Sequence, residues 1–303
     1  MKFPILIIGF NRPEKLKQVI EKVVDEDREI YIALDGPRLS IPQDKFKVRE
    51  CMDIVHNFQK KRIIHTFYQE LNLGCKKGEQ SAMNWFFEKN EAGIILEDDI
   101  IIDTEFLNFC DTNLINFKND EKVWSICGFI PFEIRSLHSE RANEVFFTCN
   151  TPQTWGWASW RRVWDKYQKD INIQDLKNII YPEIFYSGRN KINRSIWERR
   201  FLDLIYGRVS TWDYQFTMSC WNNNGVNIFP LKNYVNNIGF DSEATHTVTK
   251  PRNTRKVIVI ENNDFSNQFH DYDRENYLKF KFYRKFMSLK IQDIYLSLKN
   301  AKA

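Results

Sequence analysis

The chain has 303 residues and a mass of 36.4 kDa, a length that fits one large α/β domain or two closely packed halves. Hydrophobic residues make up 43%, with only 11 Gly and 9 Pro, which excludes low-complexity, collagen-like and wholly disordered chains. Forty-four Lys and Arg against 40 Asp and Glu give a net charge of +4, a nearly balanced surface, while aromatics stand out at 15%.

Phe3 to Phe10 is a continuous apolar run, the pattern of a parallel strand buried on both faces. It superficially resembles a signal peptide, but Asn11-Arg12-Pro13 follows where small cleavage-site residues belong, so a first strand is expected. Pro13 opens a helix whose apolar positions Leu16, Val19, Ile20, Val23 and Val24 recur at spacings of three and four. Glu29 to Leu34 reads as the second strand, ending at Asp35-Gly36-Pro37, and Lys47 to Lys60 as a helix. Arg62 to Tyr68 is the third strand, Gly78 to Asn90 a helix, and Ala92 to Leu96 a fourth strand running into Glu97-Asp98-Asp99. Phe106 to Asn116 reads as a helix and Val123 to Phe129 as a strand. This alternation predicts an α/β fold, a Rossmann-like, mostly parallel sheet flanked by helices.

Such sheets bind ligands at the carboxyl ends of their strands. Those ends carry Asn11-Arg12, Asp35-Gly36, Asn72-Leu73-Gly74 and Glu97-Asp98-Asp99, and the predicted fold brings them to one edge. Three adjacent carboxylates repel one another unless a cation or solvent screens them. A hard divalent ion with oxygen ligands, Mn²⁺ or Mg²⁺, would do so and would bridge a diphosphate.

Seven of the nine Trp fall between Trp155 and Trp221. In Thr151-Pro152-Gln153-Thr154-Trp155-Gly156-Trp157-Ala158-Ser159-Trp160 indoles flank a Gly-containing turn, and Trp155 and Trp157 are candidates to stack on a sugar. Trp160 and Trp164, four apart on an expected helix, read as core. The six Cys form no Cys-x-x-Cys pair and read as reduced thiols of a cytoplasmic protein. Residues 274–303 carry eight Lys/Arg and two acids, a net +6 that leaves −2 for residues 1–273. The body thus gives no support to nucleic-acid binding. The basic, aromatic tail suits either a solvated helix on the domain or peripheral contact with the inner face of an anionic membrane.

Ile95-Leu96-Glu97-Asp98-Asp99, with Gly156-Trp157-Ala158-Ser159-Trp160 and Trp212-Asp213-Tyr214 in the same order, resembles the GT-A glycosyltransferases. The likeness is to the N-acetylglucosaminyltransferase I group, which uses Glu-Asp-Asp where most relatives use Asp-x-Asp, and to bacterial glycosyltransferases of surface-polysaccharide loci. It spans about residues 4 to 246. The resemblance implies Asp99 as the direct metal ligand, Asp98 facing the ribose or sugar hydroxyls, and Glu97 orienting the sugar. It implies Arg12 against the nucleotide and Asp35 on the uracil edge. Asn72 and Gly74 resemble the Asn-x-Gly loop of related inverting transferases, where glycine lets the backbone approach a nucleotide. Lys76 or Lys77 would reach phosphate. Asp213 matches the general base, with Asp241 and Glu243 in reserve. His246 sits where many GT-A enzymes place a late metal-binding His, and equally suits a surface or phosphate-contacting role.

The resulting expectation is a metal-dependent inverting transferase moving GlcNAc or a related hexose from a UDP-sugar to a glycan or lipid-linked glycan. Residues 1–129 would form the nucleotide-sugar half, 130–248 the acceptor half and 249–303 a basic extension. Two alternatives stay open. A sugar-nucleotide pyrophosphorylase would want a Gly-rich loop where this chain has only Gly9-Phe10-Asn11-Arg12-Pro13. A non-catalytic carbohydrate-binding protein would use the Trp cluster but leave Glu97-Asp98-Asp99 without a role.

Overall fold

Strand β1 spans Ile5–Gly9, and all five residues are buried, as a run without polar alternation requires. The computed structural model describes residues 1–130, 133–136, 146–179, 191–240 and 257–260. Helix α1, Pro13–Val23, starts on its proline and buries Leu16, Val19, Ile20 and Val23. Strand β2 is Ile30–Leu34, followed by α2, Pro42–Gln59, and β3, Ile64–Tyr68. Helix α2 begins five residues before its expected start because Pro42, preset to helical φ, occupies its first turn.

Helix α3 spans Gly74–Lys89, a full turn earlier than its sequence suggests. Gly74 adopts a φ of 75°, a left-handed conformation that favours glycine. Strand β4, Ala92–Glu97, leads through Asp98-Asp99 into β5, Ile100–Ile102, and α4, Thr104–Asn116, is capped by the Asp103 side chain. Next come β6, Val123–Cys127, and two short strands, β7, Glu133–Ser136, and β8, Phe146–Cys149.

The Trp-rich stretch departs from expectation. Trp157–Trp160 is strand β9, and only Arg161–Trp164 is helical, as α5. The expected helix rested on the spacing of two Trp, but Trp160 ends the strand and Trp164 the short helix after it, and both are buried. Helices α6, Ile173–Asn178, α7, Lys191–Ile205, and α8, Asp213–Asn222, precede β10, Val226–Pro230, and β11, Val235–Asn237. Strand β12, Val257–Ile260, pairs in parallel with β7.

Eight strands form one sheet in the order β3-β2-β1-β4-β9-β6-β10-β8. Only β9 and β8 run antiparallel to their neighbours. The fold is therefore the expected α/β arrangement with a mostly parallel central sheet flanked by helices. Register pairs Ile8 with Glu97 across β1 and β4, and Ile95 with Trp157 across β4 and β9. The chain leaves β1 toward β2 and β3, then returns to the far side of β1 as β4. That reversal makes the ends of β1 and β4 the topological switch point, where such sheets bind ligands. Separately, β5 and β11 form an antiparallel ribbon, Ile100 opposite Asn237.

One apolar core runs from β1–β4 and helices α1–α4 through β6 and β9 to Trp212 and Phe216. A smaller one gathers Trp197, Phe201, Met218, Trp221 and Phe229 between α7, α8 and β10. Among the described residues no helix is long and apolar enough to cross a membrane.

Candidate active site

The parallel ladder between β1 and β4 runs on to Asp98, whose N–H bonds to the Ile8 carbonyl at 2.9 Å. The Asp98 side chain lies at the end of β1, where it is 1% exposed and accepts from the Phe10 N–H at 3.2 Å. Arg12, just before α1, reaches back to the same place. One terminal nitrogen donates to Asp98 Oδ1 and the other to Asp99 Oδ2 at 2.6 Å. Burial works against the guanidinium charge, but Asp98 and Asp99 outweigh it and raise the Arg12 pKa. Burial raises the Asp98 pKa, though Arg12 opposes the shift.

The resemblance implied a sugar-facing Asp98 and a nucleotide-facing Arg12. In the structure the two satisfy each other: Asp98 is a buried anchor, and Arg12 is the cation that screens the acidic pair. An acidic triplet needs a counter-ion, and part of that need is met from within the chain.

Asp99 is 6% exposed, and its Oδ1 is buried with no hydrogen-bond partner among the described residues. A carboxylate oxygen withdrawn from water without a donor is costly unless a cation meets it. The ribbon of β5 and β11 completes this corner. Ile238 N–H bonds to the Asp99 carbonyl at 2.9 Å, and Asn237 Oδ1 accepts from the Gly239 N–H at 2.6 Å. Gly239 lies so close to Asp99 that a Cβ there would overlap Oδ2. No sequence motif had singled out Gly239.

Among the described residues no group of three or more His, Cys, Asp or Glu is arranged to hold a metal ion. Asp99 offers one free carboxylate oxygen, which fits an ion held by one or two carboxylates and otherwise by substrate phosphates and water. His246, Asp241 and Glu243 lie outside the described residues, as does the tail from Arg274.

Asp35 follows the end of β2. Its Oδ1 accepts from the N–H groups of Gly36 and Leu73, both at 2.9 Å. Its Oδ2 accepts from Asn72 Nδ2 at 2.8 Å and from the Gly74 N–H at 3.0 Å. A carboxylate offers about four acceptor sites, and these donors engage both of its oxygens. Asp35 caps the start of α3, a helix end whose N–H groups need acceptors. Burial raises its pKa, while these backbone donors oppose the shift. Asn72 clasps the same turn, donating also to the Gly36 carbonyl at 3.0 Å. Lys76 pairs with Asp170 at 3.4 Å, and Lys77 is exposed on the first turn of α3.

Two groups that the sequence did not single out face the acidic corner from α3. Cys75 Sγ donates to Glu79 Oε1 at 3.2 Å. Burial pushes the Glu79 pKa up to about 7, with Asp213 and Asp98 adding repulsion. Glu97, at the last position of β4, is raised well above the carboxylate range by burial, then by Glu79 and Asp99. Beginning α3 at Gly74 puts residues 75 and 79 one turn apart on one face; a helix begun at Gly78 hides that pairing.

Asp213 opens α8 and accepts from Thr211 Oγ1. Its charge adds to the upward shifts of the Cys75, Glu79 and Tyr167 pKa values that burial causes. Trp212 turns inward, 4% exposed and stacked on Trp157 with ring centres 5.5 Å apart. Trp157 itself is 1% exposed, which removes it as a sugar platform. Trp155 is half-buried between Phe129, at 4.6 Å, and Phe240, at 5.6 Å, the residue after Gly239.

No protein-family model matches the chain, and no curated protein matches it in sequence. Among solved structures it is similar to GalNAc-T7, in its crystal structure with UDP, GalNAc and Mn²⁺, at 9% identity and a TM-score of 0.47. The match covers 76% of this chain and 43% of that one, so the chain spans less than half of that structure's length.

Proposed function

We propose that this chain is a metal-dependent, inverting glycosyltransferase of the GT-A type, moving GlcNAc or a related hexose from a UDP-sugar to a glycan hydroxyl. The observation that carries the reading is the buried, unpartnered Asp99 Oδ1 at the β1/β4 switch point, the place where a parallel sheet takes its ligand. Asp99 would hold Mn²⁺ or Mg²⁺, with His246 a further candidate ligand. When bound, such an ion supplies Lewis-acid neutralisation of the departing diphosphate.

The remaining chemistry belongs to side chains. Asp213 takes the proton of the acceptor hydroxyl as its oxygen attacks the anomeric carbon and the bond from that carbon to the diphosphate breaks. Trp155, framed by Phe129 and Phe240, offers an aromatic face beside Gly239 for the acceptor. Arg12 holds Asp98 and Asp99 together by donating to both carboxylates. Residues 1–129 supply the donor side and 130–248 the acceptor side. The basic, aromatic tail suits a cytoplasmic enzyme held at the membrane face, where a lipid-linked acceptor would be met.

Burial of Trp157, Trp160, Trp164, Trp197, Trp212 and Trp221 takes away the main support for a purely carbohydrate-binding protein. Thermal unfolding with a panel of nucleotide sugars, with and without Mn²⁺, tests the proposal. A ligand at 100 times its Kd stabilises by about 2.7 kcal/mol, so a true donor separates clearly from the rest. A UDP-sugar should raise Tm only with metal present, and Asp99→Asn should abolish the shift. No shift with any UDP-sugar and Mn²⁺ would sink the donor assignment.

A further inference from the structure

Asp213 is the first residue of α8, and the backbone there is held by contacts that do not involve its carboxylate. The Trp212 carbonyl accepts the first bond of the helix, from the Phe216 N–H at 3.1 Å, and a second from the Tyr167 O–H at 3.3 Å. Tyr167 Oη in turn accepts from Gln80 Nε2 of α3 at 2.7 Å, and its ring stacks on Trp164 with centres 4.4 Å apart. The Trp212 indole is stacked on Trp157 of β9 and edge-on to Trp164. Tyr214 meets Trp197 of α7 edge-on at 5.9 Å, and Thr217 Oγ1 donates to the Asp213 carbonyl at 3.0 Å. Partners on α3, α7 and β9 thus hold the start of α8. What they leave open is the rotation of the Asp213 side chain.

Thr211 closes that freedom. Its Oγ1 donates directly to Asp213 Oδ1 across the buried Trp212. Threonine is stiff at χ1, so its hydroxyl is a fixed point against which the carboxylate can be set. With Oδ1 engaged, Oδ2 is the oxygen left to take a proton. We propose that Thr211 is a positioning residue for the base, holding Oδ1 so that Oδ2 is presented to the acceptor hydroxyl in one orientation. This rests on the reading of Asp213 as the general base. In this role the proton passes from the acceptor hydroxyl to Asp213 Oδ2, and Thr211 keeps its own. A base must stand within hydrogen-bond reach of the proton it removes, and misplacement by about 1 Å can cost on the order of 100-fold in rate.

The test is a double-mutant cycle on the full chain, pairing Asp213→Asn with Thr211→Val, which keeps the shape of the side chain and removes its hydroxyl. Each variant is assayed for kcat and donor KM with UDP-sugar and Mn²⁺. Thr211→Val should lower kcat about 10–100-fold with donor KM little changed. Thr211→Ser, which returns the hydroxyl, should restore most of kcat. In the Asp213→Asn background Thr211→Val should cost nothing further, because a positioning residue has no effect once the group it positions is gone. Wild-type kcat in Thr211→Val, beside a loss of about 10²–10⁴-fold in Asp213→Asn, would overturn the inference and leave the base reading standing. An equal loss from Thr211→Val in both backgrounds would also overturn it, since the hydroxyl would then act on the fold rather than on the base. Should Thr211→Val not fold, Thr211→Ala removes the same hydroxyl without placing a methyl group beside the carboxylate and decides in its place. Wild-type kcat in Asp213→Asn would sink the base reading itself, and the inference with it.

Discussion

Arg12, Asp98 and Asp99 form a buried arrangement in which one cation serves two carboxylates. Removing one partner from a buried ion pair costs about 3–5 kcal/mol, because the other charge is left uncompensated. Arg12→Met should therefore lower the urea midpoint markedly, and Mn²⁺ should recover part of the loss by meeting the carboxylates that Arg12 abandons. Recovery by Mg²⁺ or Mn²⁺ but not by monovalent salt separates site binding from general screening. Gly239 probes the same corner sterically. Its Cβ would overlap Asp99 Oδ2, so Gly239→Ala should leave a folded protein whose Mn²⁺-dependent thermal shift is gone. A Gly239→Ala variant with the wild-type metal response would show that Asp99 Oδ2 can move freely and is not part of a preformed site.

The elements differ in how far their sequence declared them. Strands β1, β2 and β4 were legible because each is a short apolar run buried on both faces, and α1 because proline and a 3–4 periodicity mark it. Strand β9 was not, since Trp-Ala-Ser-Trp is too short for a period, and its Trp spacing to residue 164 imitates a helix. The start of α3 was hidden because its cap is supplied from another strand, by Asp35, which no local pattern announces. The acidic triplet could be found from its place after β4, whereas Glu79 and Gly239 depended on packing between distant segments. This contrast sorts the two tryptophans flanking Gly156. Trp157→Ala empties a core site in β9 and should cost about 3–5 kcal/mol, read from chemical denaturation. Trp155→Ala should cost much less stability and instead raise the acceptor KM. Equal stability losses for the two would place Trp155 in the core and remove it from the acceptor side.

At the scale of the whole molecule, carboxylates from several elements are drawn toward the end of β4. Glu97 ends β4, Asp98 and Asp99 follow it, Glu79 comes from α3 and Asp213 from α8, with Arg12 the cation bonded to Asp98 and Asp99. Burial raises the pKa of Glu79 to about 7 and raises those of Glu97 and Asp98. A carboxyl group whose folded pKa exceeds its unfolded value binds more protons when folded. Its contribution to stability is complete below the unfolded pKa and is lost as pH rises through the folded one. For Glu79 the window runs from the ordinary carboxylate range up to about 7. Asp44 shifts the other way: the Arg38 hydrogen bond lowers its pKa, so its contribution is present above its unfolded value and fades only in acid. Between pH 5 and 8 the raised groups therefore set the sign, and the apo protein should lose Tm as pH rises. Glu79→Gln cannot ionise there and should flatten that decline, as should Mn²⁺ with UDP, which would compensate the charge directly. A Tm that stayed level or rose from pH 5 to 8 in the apo protein would mean that the acidic corner is solvated rather than buried, and that its charge is not what a bound ligand neutralises.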